Sequence, residues 1–133
     1  MARVSKQTLT QQQESELAHQ LTEVVGRLNS DLAQKFVTEF FGKEEKLMLA
    51  KRLAIIALLS EGRPIHRIAT YLHVSESTVA KLYERYERHE FDYTIKALTK
   101  NKKDYTEFIA ILDSILTVGG IMPHRNYIIK RKH

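Results

Sequence analysis

The stretch from Pro64 to Glu84, PIHRIATYLHVSESTVAKLYE, restricts the possible folds more than any other part of the chain. Ile65, Ile68 and Leu72 fall on one helical face and Val79 and Leu82 on another, with His73, Val74 and Ser75 between them. Spacings of three and four residues mark a helix face. Helices joined by so short a link cross at a wide angle, which needs a small residue at the crossing and a turn residue that accepts positive φ. Ala69 supplies the first; the second position falls on His73, a residue type found there more often than most that are not glycine. Pro64 can open the first helix, where its missing N–H would be unpaired anyway. Ser75 is placed to cap the second. The pattern is that of a helix-turn-helix over 64–88, although a plain helical hairpin uses similar spacings.

The rest of the chain is consistent with that element. Five Gly and two Pro in 133 residues leave few breaks, and apolar residues recur at helical spacing, so the chain reads as all-α. Its length fits one domain over 1–133. A first helix is expected near 11–28, with Thr10 and Gln13 as a capping box and Leu17, Leu21, Val24, Val25 and Leu28 on its apolar face. Ser30 can cap a second, whose Leu32, Phe36, Val37, Phe40 and Phe41 precede Gly42. That wide apolar face suits a core or a surface shared with a second copy of the chain, and Leu21, Val25, Leu28, Phe36, Phe40 and Phe41 are the candidates for such an interface. A third helix over 43–61 is apolar most of the way round, which predicts burial, and Gly62 can provide its left-handed cap. Residues 83–98 are periodic but polar, and the run KALTKNKK over 96–103 reads as a basic loop. Asp104 and Glu107 then suit the start of a C-terminal helix over 104–118, ended by Gly119 and Gly120. A basic tail, extended in this reading, occupies 121–133.

Several functions find no support. The absence of cysteine removes disulfides, thiolate metal sites and cysteine nucleophiles. His66, His73 and His89 form no i, i+4 pair, so no metal site is expected. No phosphate-binding glycine loop, nucleophile elbow or HExxH occurs, and neither a cofactor nor an enzymatic activity is expected. No run of eighteen apolar residues and no apolar N-terminal segment is present, which leads us to expect a soluble, cytoplasmic protein without a membrane partner.

Charge points the other way, toward a ligand. Residues 1–93 hold 13 basic and 13 acidic side chains, whereas 94–133 hold 8 basic and 3 acidic. A basic excess of this kind suits a polyanion, since each cation on a phosphate releases counterions; it also suits a solvated tail. In a helix-turn-helix the second helix lies in the major groove of DNA. With Val79 and Leu82 turned inward, Ser75, Glu76, Ser77, Thr78 and Lys81 become candidates for reading bases. Arg63, Arg67, Arg85, Lys130, Arg131 and Lys132 become candidates for phosphate contacts. Tyr83, Tyr86, Phe91, Tyr93 and Tyr105, interleaved with Arg85, Arg88 and Lys96, offer an alternative: stacking on unpaired RNA bases, or packing between helices. A helical module that docks a protein partner is a further alternative.

The longer stretch from Phe40 to Arg88, containing AKRLAIIALLSEG and IATYLHVSESTVAKL, resembles the Trp repressor superfamily and its bacterial Trp-repressor-like regulators. The resemblance implies a bundle whose N-terminal helices interlock in a homodimer, and a transcriptional regulator, a repressor, that binds double-stranded DNA. It also implies an effector pocket at Arg52 and Lys81. In the tryptophan-binding member two arginines hold the ligand, with a glycine after the second; here Lys81 and Leu82 stand at those last two positions. Lysine lacks arginine's planar fork and leucine fills the space a glycine leaves, so tryptophan is not the expected ligand.

Overall fold

The computed structural model describes residues 8–117, which form seven helices and no strand. The chain divides into two compact units, Met1–Lys46 and Leu47–His133.

In the first unit α1 (Gln11–Gly26) starts at a capping box, with the Gln13 N–H donating to Thr10 Oγ1 at 3.1 Å and the Thr10 N–H to Gln13 Oε1 at 2.9 Å. Helix α2 (Ser30–Phe40) begins one residue earlier than expected, at the residue expected to cap it. Asn29 Oδ1 accepts from the Leu32 N–H at 2.8 Å, so Ser30 becomes the first helical residue instead of the cap. Asparagine and serine cap about equally well, and the sequence held both in tandem. The rings of Phe36 and Phe40 stack at 5.0 Å, with Phe41 5.5 Å from Phe40. No residue of α1 or α2 is buried.

Helix α3 (Lys43–Ser60) starts where Glu45 Oε1 accepts from the Gly42 N–H at 2.8 Å. Its apolar circumference is buried only from Ala54 to Leu59; Leu47, Met48, Leu49 and Leu53 remain exposed, so the expected burial holds for one half of the helix. Gly62, at φ 78°, ends it: the Gly62 N–H donates to the Leu59 carbonyl and the Arg63 N–H to that of Leu58, both at 3.0 Å. A side chain is costly at that φ, which is why glycine belongs there.

The second unit packs α3 with α4 (Ile65–Leu72), α5 (Glu76–Glu87), α6 (Asp92–Thr99) and α7 (Lys102–Leu116). Ile55, Leu58, Ile68 and Val79 are its most deeply buried large side chains, joined by Phe91 and by Ile109, Leu112 and Leu116 of α7. Burial of each such side chain stabilises the fold by roughly 1.5–3 kcal/mol. Two boundaries differ from the sequence reading. The periodic stretch 83–98 is interrupted at His89, whose φ of 63° turns the chain between α5 and α6. The basic loop shrinks to Lys100 and Asn101, because α6 runs to Thr99 and α7 opens at Lys102. Asn101 caps α7, its Oδ1 accepting from the Asp104 N–H at 3.0 Å, so Asp104 sits inside the first turn near the positive end of the helix. Gly119 and Gly120, and the tail over 121–133, lie outside the described residues.

Helix α7 is tied to the start of α4 by polar contacts. Arg63 Nε and Nη2 donate to the two carboxylate oxygens of Asp113 at 2.8 and 2.7 Å, and Arg63 Nη1 donates to the Glu61 carbonyl at 2.9 Å. Arg67 Nη2 donates to the Leu116 carbonyl at 2.8 Å, setting a cation on the negative end of α7. The Tyr105 hydroxyl donates to Glu61 Oε2 at 2.7 Å, and burial is the main reason its phenol titrates above the ordinary range.

Candidate nucleic-acid interface

Helices α4 and α5 adopt the arrangement expected of a helix-turn-helix. Ala69 is buried beside Ile68, and the Val74 N–H closes the end of α4 on the Ala69 carbonyl at 3.1 Å. His73 takes the left-handed conformation, φ 58° and ψ 52°, and reverses the chain in the place where glycine is more usual. Leu72, Val79 and Leu82 are buried, with Ile65 and Val74 half-buried against them. This packing presses one face of α5 onto α4 and the common core and leaves the opposite one bare.

The residues at the start of α5 are held in place. Ser75 caps the helix, its Oγ accepting from the Thr78 N–H at 3.0 Å. The same oxygen lies 2.7 Å from Thr78 Oγ1 and 3.2 Å from Ser77 Oγ, which gathers three hydroxyls at the tip. Ser75, Glu76, Ser77, Thr78 and Lys81 are all exposed, as the helical register requires. Glu76 is the exception in availability: His66 Nδ1 lies 3.1 Å from its Oε2, linking the first turns of α4 and α5. Ala80 is half-buried.

The candidate phosphate contacts divide. Arg63 is bonded to Asp113 and Arg67 to the Leu116 carbonyl at the end of α7. Arg85 Nε donates to Glu90 Oε1 at 2.9 Å while its guanidinium lies 4.5 Å from the Phe91 ring centre. Arg88 Nε donates to Glu90 Oε2 at 2.8 Å, and the hydrogen bonds from Arg88 and Arg85 hold the Glu90 carboxyl below the ordinary carboxylate range. Lys130, Arg131 and Lys132 lie outside the described residues. The aromatic residues divide as well. Phe91 is buried and Tyr86 and Tyr105 pack against the core, which leaves Tyr83 and Tyr93 exposed.

Between the exposed half of α3 and one edge of α5 lies a concavity of about 620 Å³. Its walls hold Lys51 and Arg52 from α3, Lys81 and Arg85 from α5, and His73 from the turn, and no carboxylate lines it. Arg52 and Lys81, the pair implied as an effector site, thus face the same space. Arg52 makes no ion pair with Glu44, Glu45 or Glu61 among the described residues. Lys51 was not singled out by its sequence context, although its place beside Arg52 on α3 was a usable signal. Its Nζ reaches the His73 carbonyl at 3.5 Å. Among the described residues no three His, Asp or Glu side chains gather as a metal site, and no helix is long and apolar enough to cross a membrane.

No curated protein and no solved structure matches the chain. Residues 49–95, from α3 through α4 and α5 into α6, match the family model of the homeodomain-like domain. That match supports a helix-turn-helix DNA-binding domain and does not single out the Trp repressor superfamily.

Proposed function

We propose that this chain is a cytoplasmic transcriptional regulator, acting as a repressor, that binds double-stranded DNA in a sequence-specific manner with α5 in the major groove. The observation that carries this reading is the set of exposed hydroxyls and one lysine, Ser75, Ser77, Thr78 and Lys81, on the bare face of an α5 whose other face is locked into the core. Short hydroxyls reach bases or phosphates, and lysine can bond the acceptor edge of guanine. It is a binding role, with neither catalysis nor tryptophan sensing.

The reading includes a homodimer in a Trp-repressor-like arrangement. It is supported by the bare apolar side chains of α1 and α2, with Leu21, Val25 and Phe40 between 46% and 58% exposed. Leu28, Phe36 and Phe41 are half-buried and belong to the same candidate surface. Helices with so little covered apolar area gain from a partner, and a second copy offers the same surface in return.

Selection of bound duplexes from a random pool at physiological salt tests the reading. A palindromic consensus with half-sites about one helical turn apart is the expected result, because operator symmetry mirrors a two-fold dimer. Recovery of no consensus from a pool the protein demonstrably binds would remove sequence-specific readout.

A further inference from the structure

We infer that the basic concavity between α3 and α5 is a phosphate-binding site, and that it holds a backbone phosphate of the same duplex that α5 enters. The inference rests on the DNA-binding reading above and adds α3 to the interface. Lys51, Arg52, Lys81 and Arg85 converge on one space of about 620 Å³ without an acidic residue in its wall. Cations held together repel one another unless an anion lies among them. Nearby carboxylates do not fill that role for two of them: Arg52 and Lys81 form no ion pair among the described residues. By contrast Arg63, Arg85 and Arg88 of the same unit have each taken a carboxylate. Arg52 and Lys81, with Lys51 bonded only to the His73 carbonyl, therefore face one space with no carboxylate in its wall.

The position of the concavity selects the source of the anion. Its α5 wall carries Thr78, Lys81 and Arg85, at i, i+3 and i+7, which is one edge of the helix whose tip holds Ser75 and Ser77. A helix lying in the major groove is flanked by the two phosphate backbones, so the edge facing α3 meets one of them. Lys51 and Arg52 then close on that backbone from the far side. They carry no sequence information, and they fix the angle at which α5 enters the groove. Phosphate chemistry is shared with small phosphate esters, and the test separates the two sources.

A random-sequence duplex is titrated against the full chain over a salt series, alongside Lys51→Gln/Arg52→Gln and the charge-keeping Lys51→Arg/Arg52→Lys. Far-UV circular dichroism melts check that each variant folds. Loss of two phosphate contacts lowers the slope of log K against log salt by about two, since each contributes roughly 0.9. The preference for a selected duplex over the random one should stay within about twofold, and the charge-keeping variant should retain the wild-type slope. Failure of the wild-type chain to bind duplex at low salt would overturn the DNA reading itself. Wild-type binding with an unaltered slope in the glutamine variant would overturn the phosphate clamp alone. If that slope is unaltered while titration with inorganic phosphate shows binding that the glutamine variant loses, the backbone is overturned as the source in favour of a small phosphate ester.

Discussion

Replacing Asp113 with alanine tests whether the arginines flanking the helix-turn-helix serve the fold or the ligand. Arg63 and Asp113 form a two-bond fork at 2.8 and 2.7 Å, with side-chain exposures of 21% and 10%. An exposed ion pair contributes about 0–1 kcal/mol, whereas removing one partner of a buried pair costs about 3–5 kcal/mol. With this burial the second regime applies with a discount for residual solvent, and Asp113→Ala should cost about 2–4 kcal/mol. For a domain of this size each kcal/mol moves the midpoint by about 4–8 °C, so a drop of roughly 8–32 °C is expected in thermal denaturation. Arg63→Ala should lower the midpoint similarly while leaving the salt slope of duplex binding unchanged. The apolar double replacement Arg63→Met/Asp113→Leu should recover most of the loss, because no uncompensated charge is left behind. Melting of Asp113→Ala within about 2 °C of the parent would refute this reasoning at the level of the fold. A salt slope reduced by about one in Arg63→Ala, at unchanged stability, would return Arg63 to the phosphates.

Other outcomes follow from the same geometry. Lys81→Ala should weaken a selected duplex by about 1–3 kcal/mol and a random duplex by less, measured as the ratio of the two affinities; equal losses would remove Lys81 from base reading. Phe40→Asp places a charge on the bare aromatic surface of α2 and should shift the light-scattering mass at micromolar concentration from dimer to monomer, whereas a monomeric wild-type mass would contradict the dimer. Glu90 titrates below its ordinary range because Arg88 and Arg85 bond its charged form. A carboxyl with a depressed folded-state pKa stabilises above its unfolded pKa and loses that contribution as pH falls through the folded value. Glu90→Gln should therefore lower the melting midpoint slightly near neutrality and make no difference in strong acid, and an effect that grows on acidification would have the wrong sign.

What could be read from the sequence was what depends on neighbours within a turn or two. The Thr10–Gln13 capping box, the Ser75 cap, the inward set Ile68, Leu72, Val79 and Leu82, and the left-handed His73 all follow from spacing and residue type. Three kinds of feature did not. Tandem caps such as Asn29 and Ser30 compete at nearly equal energy, so the boundary moved by one residue. The break at His89 carries no glycine or proline to announce it, and the helical periodicity runs on across it. The partner of Arg63 lies fifty positions away, and no local pattern assigns one carboxylate among sixteen to a given arginine. Apolar periodicity has a related blind spot. It marks α2 and the start of α3 as wanting a partner surface without saying whether that surface belongs to the same chain.

The placing of the cations bears on how a basic sequence should be read. Over residues 1–93 acidic and basic side chains are equal in number, which on its face gives this part of the chain no pull toward a polyanion. In the folded unit, however, the arginines with planar forks are largely spent on fixed acceptors: Arg63 on Asp113, Arg67 on the Leu116 carbonyl, Arg85 and Arg88 on Glu90. Fork geometry suits that use, since it satisfies two acceptor sites at once or one with good alignment. Lys51, Arg52 and Lys81 are left facing a common space, beside a helix tip that gathers the hydroxyls of Ser75, Ser77 and Thr78. A segment without net charge thus presents Lys51, Arg52 and Lys81 in one concavity whose wall carries no carboxylate. The field that would steer DNA onto α5 is set by which cations lack partners, and net charge alone does not report it.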